Sequence, residues 1–180
     1  MTETVDMNSL PPVIQKFVLH WGEMGRKWGI SRTVAQIHAL LYTSEKPLHA
    51  EEICTFLGVA RSNVSNSLKE LQNWGIVKVV HLPGDRRDHF ESMKDVYEMF
   101  RAILAERKRR EVDPTLQLLK ECQKESADDE DSTYARTRIG DLQDFFQLST
   151  DFYKKMDKLP TKAAAKALRT SDRLLKALRL

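Results

Sequence analysis

Apolar residues recur along this chain at three- and four-residue steps, and one β-branched stretch near the middle interrupts them. The first helical pattern spans residues 13–28, with Val13, Phe17, Trp21, Met24 and Trp28 on one stripe. Gly22, Gly25 and Gly29 interrupt it, each at roughly 1 kcal/mol against alanine. So many glycines point to close packing against another backbone or a ligand; the alternative is that Gly29 merely ends the helix and the others are tolerated. Ser31 is expected to cap the next helix, to residue 43, which packs Val34, Ile37, His38 and Leu41 inward. His38 on this apolar face reads as a satisfied core histidine rather than a ligand or a pH sensor. A short helix over 49–57 follows, with Ala50, Ile53, Cys54 and Leu57 on one face, and Gly58 stops it. The next, over 61–73, buries Val64, Leu68 and Leu71.

The opposite face of that helix carries Ser62, Ser65, Asn66, Lys69 and Asn73. One charge among small hydrogen-bonding side chains suits the reading of base edges in a major groove. Residues 76–81 then read as a strand, Pro83-Gly84 as a turn and 89–93 as the returning strand. Asp85-Arg86-Arg87-Asp88 forms the hairpin tip. Helix, glycine turn, helix and basic-tipped hairpin together make a winged helix-turn-helix, a double-stranded DNA reader. The competing interpretation is a packed α+β core with a solvated polar face.

From Lys94 onward the pattern is that of long helices. Val96, Tyr97, Phe100, Ile103 and Leu104 lead into a charged run over 106–111, whose basic stretch 107–110 reads as a solvated face. Asp113-Pro114 is expected to break and restart the helix, with Leu116, Leu119 and Cys122 beyond. The acidic residues 125–131 read as a linker. A helix over 133–159 carries Leu142, Phe145, Phe146, Phe152, Tyr153, Met156 and Leu159, a seam wide enough for a partner helix. With the first helix it is the candidate homodimer interface. The basic tail from Thr161 carries Ala164, Leu168, Leu175 and Leu178 and is expected to pack across the dimer, or else to lie on a membrane surface. The expected architecture is mainly α with a small β-hairpin wing: a disordered 1–12, a DNA-binding domain over 13–93, and helical dimerisation and effector segments over 94–180.

Charge changes this picture in one respect. The chain of 180 residues has a net charge of +3. Residues 1–93 hold ten Lys/Arg and ten Asp/Glu, so the surplus lies in the second half. Phosphate contacts must then come from local clusters (Arg61, Lys69, Lys78, Arg86 and Arg87), which implies moderate affinity per monomer and a need for dimerisation. No apolar run approaches a membrane span, and the N-terminus lacks the basic and apolar parts of a signal peptide, so the expected location is the cytoplasm. Cys54 and Cys122 have no Cys-x-x-Cys spacing and the histidines no metal spacing, so neither metal nor cofactor is expected. With no nucleophile elbow, phosphate loop or paired carboxylates, an enzyme is not expected either.

Three stretches carry a resemblance. Trp21-Gly22-Glu23-Met24-Gly25-Arg26 with Leu40-Leu41-Tyr42 and Pro47-Leu48 is the first. Val64-Ser65-Asn66-Ser67-Leu68-Lys69-Glu70-Leu71 with Trp74-Gly75-Ile76-Val77 is the second, and Pro83-Gly84-Asp85-Arg86-Arg87 the third. Together they resemble the GbsR-type branch of the MarR regulators over roughly residues 15–158. The resemblance implies a dimeric winged-helix repressor whose relatives sense choline-type ligands. The family's wing motif, Asp-x-Arg-Asp-x-Arg, falls on Asp85, Arg87, Asp88 and Phe90. Arg87 thereby inherits a minor-groove role, and Phe90 departs from the pattern. Ala60 departs too, standing where an N-cap serine or threonine is expected.

The expected DNA contacts are Arg61, Ser62, Asn63, Ser65, Asn66 and Lys69 in the major groove, with Arg86 and Arg87 at the wing. A quaternary ammonium effector needs an aromatic cage. Its candidates are Trp21, Trp28, Tyr97, Phe100, Phe145, Phe146, Phe152 and Tyr153, which read equally as core. The alternative function is a winged helix used as a protein-interaction or architectural module without an effector.

Overall fold

The computed structural model describes residues 6–125 and 133–161, with positions 163, 166 and 170 of the tail. They divide into two compact units, which meet in sequence between Ala102 and Ile103. In the first unit, α1 (Pro12–Lys27) and α2 (Arg32–Thr43) precede a two-residue strand, β1 (Leu48–His49). Helices α3 (Ala50–Leu57) and α4 (Arg61–Asn73) and strands β2 (Val77–Val80) and β3 (His89–Ser92) follow, then the start of α5 (Val96–Arg107).

Helix α2 is the centre of this unit. Every residue from Val34 to Leu41 is buried, His38 and Gln36 included. Such a helix has no solvent face, and α1, α3 and α4 pack around it. Ser31 sits at its N-cap position without a side-chain cap bond, contrary to expectation. Helix α1 turns a different face inward from the one its aromatic spacing suggests. Val18, Gly22 and Gly25 are buried, whereas Val13 and Trp28 are 74% and 47% exposed. A methyl at Gly25 would lie 2.5 Å from the Ala35 Cβ, and one at Gly22 would lie 2.6 Å from Gln36 Cγ. The glycines are therefore where the two helices come closest.

Helix α3 ends at Gly58, whose φ of 62° supplies the left-handed cap. Ala50 and Ile53 face the core, while Cys54 and Leu57, expected beside them, are only half-buried. Helix α4 buries Val64, Ser67, Leu68 and Leu71. Leu82-Pro83-Gly84-Asp85 is a turn closed by an Asp85 N–H to Leu82 carbonyl bond of 3.1 Å, and φ of 81° at Gly84 fits proline at the second and glycine at the third position. The sheet gains a strand over the expected hairpin, because Leu48 and His49, the latter read as the start of a helix, pair antiparallel with β3. Its order is β1-β3-β2. Past the wing, Lys94 Nζ donates to the carbonyls of Leu41, Tyr42 and Ser44 at 3.3, 3.1 and 2.9 Å, tying the chain to the end of α2.

Residues 7–9, expected to be disordered, form one 3-10 turn capped by Asp6 and packed on α3; residues 1–5 lie outside the described chain. In the second unit the expected break at Asp113-Pro114 does not occur. Helix α5 passes through a π-helical turn, Lys108–Val112, into α6 (Asp113–Glu125). Proline lacks an N–H and its ring crowds the carbonyl four residues back, and a wider turn directly before it relieves both. The basic run there is paired locally, Arg109 with Glu106 and Lys108 with Asp113. Helix α7 (Thr133–Asp157) packs on α6. Its expected seam splits: Phe146, Tyr153, Met156 and Leu159 are half-buried, whereas Leu142, Phe145 and Phe152 are exposed, as is Leu148, which the seam did not include. The acidic linker, apart from Glu125, and Ala164, Leu168, Leu175 and Leu178 lie outside the described residues.

Candidate nucleic-acid interface

Helix α4 and the β2–β3 hairpin stand side by side with a cleft of about 310 Å³ between them. Arg61, Ser65 and Lys69 of α4 line it together with Arg87 and Asp88 of the hairpin and Glu51 of α3. Ser62, Asn63 and Asn66 lie outside the cleft lining and are exposed, as Arg61 and Lys69 are; Ser65 is half-buried. The face is thus polar, solvated and rigidly backed, since Val64, Leu68 and Leu71 on its reverse are each at most 2% exposed. Ala60 makes no side-chain cap bond, which leaves the first N–H groups of α4 without that partner.

The two wing arginines differ. Arg86 is exposed and, among the described residues, makes no hydrogen bond or ion pair. Arg87 is tethered. Its backbone N–H and Nε donate to Asp85 Oδ1 at 3.0 and 2.9 Å, and Nη2 pairs with Asp85 Oδ2. Hydrogen bonding from Arg87 holds the Asp85 carboxyl well below the usual carboxylate range, and the same bond raises the arginine. The third side of the guanidinium, Nη1, lies 2.7 Å from His49 Nε2.

His49 is a residue that sequence reasoning missed. It closes β1, stands at the N-cap of α3, and completes a capping box in which its own N–H donates to Glu52 at 2.8 Å. Its Nδ1 lies 3.0 Å from Glu51 Oε2, and the other oxygen of Glu51 accepts Arg61 Nε at 3.2 Å. The Glu51 carboxyl is lowered first by its own backbone hydrogen bond, then by Arg61 and His49. His89 packs edge-to-face on His49 at 5.5 Å, and its Nδ1 lies 3.0 Å from the Arg87 carbonyl. The available signal was a histidine three residues before a glutamate at a helix start, a capping box without its usual serine or threonine.

The candidate effector residues fall in both compact units. In the first, Trp21 lies edge-to-face with Trp28 at 5.9 Å and tilted against Phe17 at 5.3 Å, while Tyr97 and Phe100 are 37% and 57% exposed. In the second, Phe145 and Phe152 are exposed and Phe146 and Tyr153 half-buried. None of them lines the cleft beside α4. Among the described residues no helix is long and apolar enough to cross a membrane, and no group of three or more His, Cys, Asp or Glu could hold a metal ion.

Residues 22–88 match the model of the MarR family. Two Bacillus subtilis (strain 168) proteins are similar to this chain. One, YvaV, is called a candidate HTH-type transcriptional regulator; it is 25% identical over 84 residues, 47% of this chain and 48% of that protein. The other, the HTH-type transcriptional repressor OpcR, is 24% identical over 78 residues, 43% and 42% of the two chains. The chain thus spans about half the length of the curated relatives it matches. A crystal structure of a transcriptional regulator superposes with a TM-score of 0.65 at 20% identity, over 81% of this chain and 96% of that one, so the fold is shared. Over residues 22–88, which hold α2, α3, α4 and β2, the chain is thus similar to the MarR family.

Proposed function

We propose that this chain is a MarR family transcriptional regulator which binds operator DNA as a cytoplasmic homodimer and represses transcription. The observation that carries this reading is the exposed polar face of α4, set beside a hairpin whose tip bears a solvated arginine. Ser62, Asn63, Ser65 and Asn66 would meet base edges in the major groove, and Arg61 and Lys69 the phosphates. Arg86 and Arg87 would enter the neighbouring minor groove. A second copy accounts for the apolar stripe on α7, where Leu142, Phe145, Leu148 and Phe152 are 46–70% exposed. Repression agrees with the name of one relative, OpcR. A choline-type effector, held by aromatic side chains, would act by changing the spacing of the two recognition helices.

Fluorescence anisotropy on the DNA upstream of the chain's own coding sequence, against a scrambled duplex and with and without choline, tests this proposal. Preferential binding weakened by choline supports regulator and sensor together. Preference indifferent to choline removes the sensor and keeps the regulator. If neither that DNA nor any duplex enriched from a randomised library is preferred, the chain is an architectural or protein-interaction module, to which the zero net charge of residues 1–93 also lends itself.

A further inference from the structure

We propose that His49 is the positioning residue for the wing arginine, an inference that rests on the DNA-contacting role given to Arg87 above. A neutral imidazole has one N–H and one lone pair, and a guanidinium only donates. With Arg87 Nη1 at 2.7 Å, Nε2 must carry the lone pair, so the proton sits on Nδ1 and points at Glu51 Oε2, 3.0 Å away. The other tautomer would set N–H against N–H at one end and a lone pair against a carboxylate at the other. The Nδ1-protonated form gives up the ring's half of the capping box, since the Glu52 N–H at 3.3 Å then faces another N–H, and the box keeps the His49 N–H bond to the Glu52 carboxylate at 2.8 Å.

Three N–H groups of Arg87 are then fixed, two by Asp85 and one by His49. Two remain, on a side chain that is 55% exposed. A planar fork already held in place loses little freedom when it meets a phosphate or a base edge. The latch is supported from both sides. Glu51 joins His49 to Arg61 at the start of α4, and His89, packed on the His49 ring, holds the Arg87 carbonyl. The recognition helix and the wing are therefore registered to each other through one imidazole.

The test uses the full chain and a duplex enriched by it from a randomised library. His49→Gln places an amide oxygen near the position of Nε2 and keeps the latch. His49→Asn places one near Nδ1, preserves a good N-cap and cannot reach Arg87. The glutamine variant is expected to bind like the parent and the asparagine variant about tenfold more weakly, with no further loss when Arg87→Ala is added. Thermal unfolding checks that each variant is folded. Equal losses in both variants, or an asparagine effect that persists beside Arg87→Ala, would show that His49 acts only through the fold and overturn the proposal. Arg87→Ala that weakens binding while His49→Asn does not removes the positioning role alone. An Arg87→Ala variant that binds like the parent overturns the DNA role of Arg87 and the positioning role with it.

Discussion

Acid should weaken the first unit through a single side chain. His38 is 5% exposed in the middle of α2, its Nε2 has no hydrogen-bond partner among the described residues, and burial lowers its pKa from 6.5 to about 4. The unfolded chain therefore takes up this proton first as the pH falls. The stability in question is whole above the unfolded value and drains away down to the folded one, by roughly 3 kcal/mol in all. His38→Phe keeps a ring of similar size and removes the titration. Urea unfolding of parent and variant from about pH 7.5 to about pH 4.5 should show the variant gaining on the parent with acid; a constant difference would exclude His38 as the cause. Arg86 allows a cleaner binding test, because it stabilises nothing visible in the fold. Arg86→Ala should leave the melting temperature unchanged and reduce the salt slope of DNA binding by about one phosphate contact. The sequence, through its resemblance, gave the wing role to Arg87 and could not distinguish the two arginines further. The tether that does so comes from Asp85, two positions away, and from His49, 38 positions away.

Among the elements, α3, α4 and the hairpin were legible because each has a strong local signal: a glycine stop, an apolar triplet at helical spacing, a Pro-Gly turn. The facing of α1 was not. Periodicity finds a stripe, and the aromatic stripe is the conspicuous one, yet the closest packing is achieved by the residues with least side chain. Gly25→Ala is expected to cost roughly 2 kcal/mol, since its methyl would fall 2.5 Å from the Ala35 Cβ. Adding Ala35→Gly should recover part of that loss in a thermal melt; no recovery would mean that the strain lies elsewhere. The uncapped start of α4 was read correctly from Ala60. Ala60→Ser should supply the missing acceptor and stabilise the fold by about 1 kcal/mol, measured by urea unfolding. The uninterrupted passage through Pro114 was hidden because a π-helical turn leaves no mark in the hydrophobic pattern.

Across the whole molecule, the apolar stripe of α7 is large for a surface with no role. Phe145→Asp with Phe152→Asp is expected to shift sedimentation from dimer to monomer, and operator binding should fall with it, since one recognition helix reads only one half-site. An unchanged sedimentation coefficient would place the second copy on another face, and the Trp21–Trp28 side of α1 would then be the next to substitute. The long helices were legible as amphipathic, but which of their faces serve another copy depends on contacts that no local spacing encodes. The two-residue strand Leu48–His49 has a different kind of consequence. It fills the outer edge of the sheet beside β3 and caps α3, so the wing is a module assembled from two separated pieces of sequence. A chimaera that transplants the hairpin into a related scaffold to change its DNA preference would need to carry positions 48–49 as well, or the borrowed hairpin would arrive with a bare edge and a freely swinging arginine.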